Sequence, residues 1–446
     1  MKEIDLTNGS IFGKLIKFSL PMIVGNFLQQ IYNLVDTLIV GKYIGANALA
    51  SVGSVYTLMT FITSIIIGLC MGSGAFFSLD YGAKNHKRLK EDIVLSFIFI
   101  LSVSAIISIV IYPCMGLILS ILQTPSTLMA LTKEYVTVIF SGIIFIFLYN
   151  FFAYLLRSIG KPYVPLVFLG ISSVLNIILD IWFVVTLNMG VFGAGFATVI
   201  SQGVAGIGLL IYSIIKVPIV RIQKEKVDLS FKRFREIVIN GLATSVQQSV
   251  MNFGILMIQG LVNSFGEVIM ASFAAAVKID TLAYMPSQEF GNAYSLFISQ
   301  NYGAKKSDRI MKGTKISFIV SAIFCLIVSA IIFIFAENLM GIFVESFEKE
   351  IIIEGAKYLR IEGAMYVGIG ILFLWYGYFR GINKPHISLI LTIISLGTRV
   401  VLSYVLAPTT PLGVIAIWLS IPIGWILADV VGYLYYKNII KRLRDC

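Results

Sequence analysis

The run IVLSFIFILSVSAIISIVIYPCMGLILSIL, from Ile93 to Leu122, contains 30 residues and no charged side chain. A helix needs about 20 predominantly apolar residues to cross the hydrocarbon core of a bilayer. Similar runs recur along the chain, for example at Val136–Leu156 and Ile316–Phe335. A transmembrane β-barrel would instead show short alternating segments, so these continuous runs predict an all-α membrane protein.

The composition of the whole chain agrees with this interpretation. Of its 446 residues, 58% are hydrophobic and only 13% are charged, whereas a soluble domain has a charged fraction of about 25%. The apolar runs and the breaks between them predict twelve transmembrane helices. They lie near residues 11–40, 49–79, 92–120, 130–157, 163–187, 190–215, 233–263, 268–298, 313–342, 352–380, 385–407 and 411–438.

The basic residues indicate how these helices are oriented. Of the 34 Lys and Arg residues, 27 fall in the two termini and in the loops that share their side of the membrane. The positive-inside rule then predicts that both termini lie in the cytoplasm and that the chain is a multi-pass protein of the cytoplasmic (inner) cell membrane. Because the net charge of +11 is spread over short loops and forms no single patch, we expect no nucleic-acid partner.

An internal repeat divides the chain into halves. Tyr81-Gly-Ala-Lys84 recurs as Tyr302-Gly-Ala-Lys305, and Arg157-Ser-Ile-Gly-Lys-Pro162 recurs as Arg380-Gly-Ile-Asn-Lys-Pro385. Each half contains an even number of predicted helices, so the repeats have the same orientation and the substrate path is expected between them. We predict six-helix bundles at 1–215 and 236–446, joined by a charged cytoplasmic linker at 216–235.

Polar residues inside the first half form two stripes. Gln29, Asn33 and Asp36 are spaced by four and three residues, which places them on one helix face, and Asn176 and Asp180 share a face of the fifth helix. From their distances to the helix ends, Asp180 and the sixth-helix residue Thr198 both lie roughly 10–12 Å inside the membrane at about 1.5 Å per residue. Asp36, Asp180 and Thr198 could therefore surround one pocket.

Two neighbouring carboxyl groups in a low-dielectric pocket favour binding of a proton or a monovalent cation, which is the chemistry of an antiporter. The alternative is that these polar groups form hydrogen bonds that hold helices together. Pro21 removes one backbone hydrogen bond from the first helix, so we expect a bend there.

The second half does not repeat the carboxylates of the first. It carries Lys278, Asp280, Glu289 and Arg399 within its predicted helices. These charges could form buried pairs, such as Lys278 with Asp280, or line a cavity for charged substrate groups. We interpret Glu362 and Asp429 as interfacial. The candidate cavity residues are Gln29, Asn33, Asn150, Gln247, Asn252, Lys278, Asp280, Glu289 and Arg399.

Signals for catalysis are missing from the sequence. The two histidines, His86 and His386, fall in predicted loops, and no metal-ligand spacing, phosphate-binding loop or nucleophile motif is present. We therefore expect a protein that is not an enzyme and has no cofactor, with transport that draws on an ion gradient or runs passively.

The motifs together resemble the multidrug and toxic compound extrusion (MATE) transporters. The resemblance rests on Ser19-Leu-Pro21 with Asp36, on Asn176-Ile-Ile-Leu-Asp180, on the paired Tyr-Gly-Ala-Lys loops, and on Pro286-Ser-Gln-Glu-Phe-Gly-Asn-Ala293 before Gln300-Asn-Tyr-Gly303. It covers nearly the whole chain and points to a prokaryotic, DinF-like or related branch. It implies two bundles in a V shape around a central cavity.

The same resemblance implies a function and a site. It implies efflux of organic cations and other amphipathic compounds in exchange for H⁺ or Na⁺, with the coupling ion bound by Asp36, Asn176, Asp180 and Thr198. Besides these compounds and the lipid bilayer we expect no partner, and we expect a monomer. An alternative of related fold is a flippase for lipids or lipid-linked oligosaccharides, which would need a larger and more cationic cavity.

Overall fold

A computed structural model describes residues 3–121, 124–220, 230–345 and 347–444. Within these residues the chain forms helices and their connecting turns. The α-helices are α1 Ile11–Ile39, α2 Ala46–Gly82, α3 His86–Ile121, α4 Met129–Ser141, α5 Ile143–Ser158, α6 Tyr163–Asp180, α7 Gly190–Lys216, α8 Phe231–Asn263, α9 Glu267–Gly303, α10 Ser307–Met340, α11 Lys349–Gly363, α12 Tyr366–Gly381, α13 Pro385–Thr409 and α14 Val414–Arg444. Two π-helical segments, π1 Val40–Ile44 and π2 Ile181–Thr186, continue α1 and α6 directly.

The helices account for the predicted membrane spans. Nine described helices are long and apolar enough to cross a bilayer, and two bent pairs, α4 with α5 and α11 with α12, raise the number to as many as eleven. The remaining long helix, α8, has 33 residues. Its lower hydropathy follows from side chains such as Gln247, Gln248 and Asn252. If each bent pair and α8 are counted as one span each, the described helices give the twelve spans that the sequence predicted.

The backbone repeats the pattern seen in the sequence. The chain bends by 43° between α4 and α5, at Gly142, and by 52° between α11 and α12, about 222 residues later. Lys84 and Lys305 both have a φ of 56° at the ends of the two Tyr-Gly-Ala-Lys loops. Gly45 and Gly266 have φ values of 112° and 99° before α2 and α9. Residues with a side chain rarely adopt such φ values, so the glycine at both positions indicates that the same turn occurs in each half.

The described chain falls into two compact units. The first contains residues 1–5 and Leu20–Ser245, and the second contains Leu6–Ser19 and Val246–Cys446. Nine of the twenty residues of the predicted linker 216–235, those at 221–229, lie outside the described residues. The division differs from the sequence-based boundaries because the beginnings of α1 and α8 are not grouped with the rest of their own helices.

The first unit is held together by aromatic packing and by small residues at helix contacts. The rings of Phe97, Phe147, Phe151 and Phe152 form a cluster, with centroids 5.3 Å apart for Phe97 and Phe147. The buried Ser158 hydroxyl donates to the carbonyl oxygen of Gly74 at 2.8 Å. Such hydrogen bonds between helices, together with close packing, replace the hydrophobic driving force that is missing inside a membrane.

The second unit uses a close helix contact of its own. A Cβ atom on Gly377 of α12 would lie 2.5 Å from the carbonyl oxygen of Gly291 on α9, so only glycine allows this approach. Phe273 stacks on Trp418 at 5.3 Å. At the N-terminal end of the described chain, the backbone of Leu6 binds the side chains of Gln300 and Asn301 at 3.3 and 3.2 Å.

Candidate ion-coupling site

Two acidic residues of the first unit come together where their helices end. Asp36 lies on the last turn of α1 and Asp180 is the last residue of α6. Their carboxyl groups lie within hydrogen-bonding distance of each other. Asp180 is fully buried, and neither of its carboxyl oxygens has a donor in the protein. Two ionised carboxylates this close repel each other, so a proton or a monovalent cation between them would stabilise the arrangement.

The sequence predicted two further members of this site, and the structure places them together. The Asn176 side-chain nitrogen lies 3.4 Å from the Thr198 hydroxyl, which in turn donates to the carbonyl oxygen of Ala194 at 3.1 Å. The buried side-chain oxygen of Asn176 has no donor. Asn176 lies one helical turn before Asp180 on α6, so its amide and the carboxyl group face the same side.

A cavity of about 130 Å³ lies inside the first unit next to these residues. It has room for several water molecules, and hydroxyl and amide groups supply most of its polar surface. Its lining is formed by Gln29, Tyr32, Thr63, Ile67, Ile146, Tyr149, Asn150, Leu169, Ser172, Ser173, Asn176, Thr198, Ser201, Gln202 and Ala205.

The cavity contains residues that the sequence analysis named and others that it missed. Gln29 and Asn150 were predicted, whereas Asn33 is not in the lining. Tyr32 was missed, although it lies one helical turn before Asp36 and lines the cavity together with Gln29 and Gln202. The signal that could have found it is the four-residue spacing to Asp36.

Each carboxyl group of the pair is followed by a π-helical segment. π1 begins four residues after Asp36, and π2 begins immediately after Asp180. The two segments also contact each other. π-Helical turns are rare and are found mostly at functional sites. The two acidic residues therefore sit at the ends of regular helix, next to backbone that departs from the α-helical pattern.

The second unit contains an acidic pair that the sequence analysis missed. Asp280 and Glu362 lie within hydrogen-bonding distance of each other, and the Tyr366 hydroxyl donates to Asp280 at 2.5 Å. The interfacial interpretation of Glu362 is wrong, because this buried residue lies at the bend inside the candidate span formed by α11 and α12. Arg399 is buried nearby, and its Nε has no acceptor.

The interfacial interpretation of Asp429 is also wrong, since this residue lies near the middle of the candidate span Val414–Ile440. Lys278 is exposed while Asp280 is buried, so the suggested pair between them does not form. Gln247 is buried, Asn252 is half-buried, and Glu289 accepts a hydrogen bond from Asn292 at 3.4 Å.

The described residues contain no group of three or more His, Cys, Asp or Glu side chains that could hold a metal ion. An acidic pair with an amide and a hydroxyl nearby instead suits a proton or a single monovalent cation. A polytopic helical protein of two repeats, with such a site buried in one of them, belongs to the class of membrane transporters.

Comparison with known proteins identifies the family. The family model described as MatE matches residues 21–182 and 243–405, once in each half. The chain belongs to the MATE family of transporters, which are not enzymes. The resemblance inferred from the motifs is confirmed at this level.

Relatives and solved structures extend over most of the chain. It is 29% identical over 310 residues to the probable multidrug resistance protein YpnP of Bacillus subtilis, covering 70% of this chain and 69% of the relative. It is 24% identical over 322 residues to the multidrug export protein MepA of Staphylococcus aureus, covering 71% and 70%.

Two crystal structures show the same fold over the whole length. A MATE in complex with MaL6 matches with a TM-score of 0.93 and 26% identity, covering 100% of both chains. A MATE in the bent conformation matches with a TM-score of 0.93 and 25% identity, covering 100% of this chain and 99% of the other. The predicted all-α membrane fold is confirmed.

Proposed function

We propose that the protein is an antiporter of the cytoplasmic membrane that exports amphipathic organic compounds, organic cations among them, in exchange for H⁺ or Na⁺. The relatives support this proposal, since YpnP is named a probable multidrug resistance protein and MepA a multidrug export protein. The proposal places the chain in a DinF-like or related branch, as a monomer with both termini in the cytoplasm.

The contact between Asp36 and Asp180 is the observation that carries this proposal. Asp180 is fully buried and Asp36 is half-buried, three of their four oxygens lack a donor, and no Lys or Arg that the structure describes forms an ion pair with either group. Isolated charges in such surroundings are costly. Binding of a proton or Na⁺ between the carboxyl groups removes that cost, and the Asn176 and Thr198 oxygens can complete a sodium shell.

Coupling then follows from a difference in affinity between two states. If the ion-loaded site favours one conformation and the empty site the other, an inward ion gradient drives release of substrate to the outside. The π-helical segments π1 and π2 continue the two helices that bear the acidic residues. They are backbone through which a change at the acidic pair can reach the outer ends of α1 and α6.

The experiment is transport of a fluorescent organic cation into proteoliposomes, driven first by a pH gradient and then by a Na⁺ gradient. We expect one gradient to drive transport and the Asp36→Asn, Asp180→Asn double variant to lose it while remaining folded. Asp429→Asn, which removes a different carboxyl group within the membrane, is the matched control and should retain transport. Gradient-driven transport that survives in the double variant would show that ion coupling lies elsewhere.

A further inference from the structure

The helix α9 has one face that does not pack within the second unit. Met270 and Leu282, which are 40% and 39% exposed, flank the exposed Ala274 and Lys278 at intervals of four residues. The opposite side of the helix, which includes Phe273, Ala276 and Asp280, is buried. The ammonium group of Lys278 therefore points away from the acidic pair formed by Asp280 and Glu362.

Lys278 lies deep in the membrane. It follows Glu267, the first residue of α9, by eleven residues, which is ~16 Å along the helix at about 1.5 Å per residue. No ion pair joins it to any residue that the structure describes. An unpaired lysine facing lipid at this depth is costly, so a position facing water is favoured.

A neighbouring helix shows what a lipid-facing surface of this unit looks like. Between Phe318 and Phe335, every exposed residue of α10 is apolar, including Ile323, Leu326 and Ile334. The exposed face of α9 differs because it has a lysine at its centre. The two faces belong to helices of similar length in the same unit, and the difference indicates that the α9 face borders an aqueous path.

The first half has no basic residue at the equivalent position. With the repeat offset of 221 residues, Met270, Ala274 and Leu282 correspond to Leu49, Gly53 and Phe61, all of them exposed on α2. The same offset places Thr57 opposite Lys278 in the sequence. The exposed face is thus a shared feature of the repeat, and the positive charge is specific to the second half.

We propose that Lys278 binds the anionic group of substrates, so that the transporter prefers zwitterionic amphipathic compounds that carry a carboxylate over matched simple cations. This inference rests on the proposed function and specifies its substrate class. A lysine ammonium provides a compact positive charge with three hydrogen-bond donors. Such a charge attracts a carboxylate and repels a cation without one.

The test uses rhodamine 110, which has a free carboxylate, and rhodamine 123, its methyl ester. Initial rates of gradient-driven transport into proteoliposomes are measured for both dyes, with dye binding to the purified protein as a second readout. We expect Lys278→Gln to lower transport and binding of rhodamine 110 about tenfold while the ester changes little, since one charge-assisted hydrogen bond is lost. Lys278→Arg should retain the preference and Lys278→Glu should reverse it.

The matched control is Lys349→Gln, which removes an exposed lysine at the beginning of α11 and should leave the ratio of the two dyes unchanged. An unchanged ratio in Lys278→Gln overturns the inference. The same holds if replacing anionic lipid by phosphatidylcholine changes both dyes equally and abolishes the effect of the variant, because Lys278 then binds the net negative headgroup of an anionic lipid. Failure of wild-type protein to transport either dye overturns the proposed function together with this inference.

Discussion

Arg233 is expected to be the most important single side chain for the stability of the first unit. It lies near the beginning of α8 with 7% of its side chain exposed, and it contacts two buried carboxylates. Its Nε and Nη2 donate to the two oxygens of Asp92, each at 2.6 Å, and Nη2 also donates to Asp80 at 2.7 Å. Its guanidinium also lies 4.5 Å from the centre of the Phe76 ring.

The size of the effect follows from what a substitution leaves behind. Arg233→Met removes the cation but leaves Asp80 and Asp92, which are 2% and 0% exposed, without their main partner. Breaking a buried ion pair in this way costs about 3–5 kcal/mol. For a unit of this size each kcal/mol lowers the melting temperature by about 2–4 °C, so we expect a decrease of about 10 °C.

The assay is thermal unfolding of purified protein, followed by intrinsic fluorescence or by the loss of the monodisperse peak in size-exclusion chromatography. Arg235→Met is the matched control. Arg235 is exposed and lies two residues away, so its substitution should leave the melting temperature unchanged. Adding Asp80→Asn and Asp92→Asn to Arg233→Met should restore most of the lost stability, since neutral groups no longer need the cation. A melting temperature within 2 °C of wild type for Arg233→Met, or no recovery in the triple variant, refutes the reasoning.

Three further predictions concern the helices around the two acidic pairs. Deleting Val184 should convert π2 to regular α-helix, rotate the residues after it by about 100°, and abolish transport measured in proteoliposomes without loss of the folded protein; retained transport would show that the π-helical turn is dispensable. Tyr366→Phe leaves Asp280 without its 2.5 Å donor and should lower stability by about 1–3 kcal/mol in thermal unfolding, whereas an unchanged melting temperature would mean that water replaces the hydroxyl. Gly377→Ala forces α9 and α12 apart and should cost about 1–3 kcal/mol, while Gly397→Ala, where a Cβ meets nothing within 4 Å, should be tolerated; equal melting temperatures for both would contradict the close contact.

Much of the fold could be predicted from the sequence because membrane helices leave strong signals. The length of the apolar runs and the distribution of basic residues depend on the thickness and polarity of the bilayer and on little else. The bends were not predicted. The run from 130 to 157 looks like one helix, although the chain turns by 43° at Gly142. Glycine is common in membrane helices, so a single Gly does not identify a bend.

The first acidic pair could be predicted, whereas the second could not. Asp36 and Asp180 were found because each lies on a helical stripe with Asn33 or Asn176. Glu362 was instead interpreted as interfacial, since it lies in the first half of the predicted helix 352–380. The structure shows that α11 ends at Gly363 inside a bent span, so this helix end is buried and not at the membrane surface.

The two acidic pairs also differ in a way that only the structure reveals. No Lys or Arg in the described part of the chain forms an ion pair with Asp36 or Asp180, while Arg399 interacts electrostatically with Asp280 and Glu362. With both acids ionised the first site carries two uncompensated charges and needs an ion from outside, whereas the second already contains one internal cation. The repeat preserves backbone turns because both halves must cross the same bilayer, but it places no such demand on side chains within the units. For this reason the coupling ion is to be sought first at Asp36 and Asp180, although both units contain a pair of buried carboxyl groups.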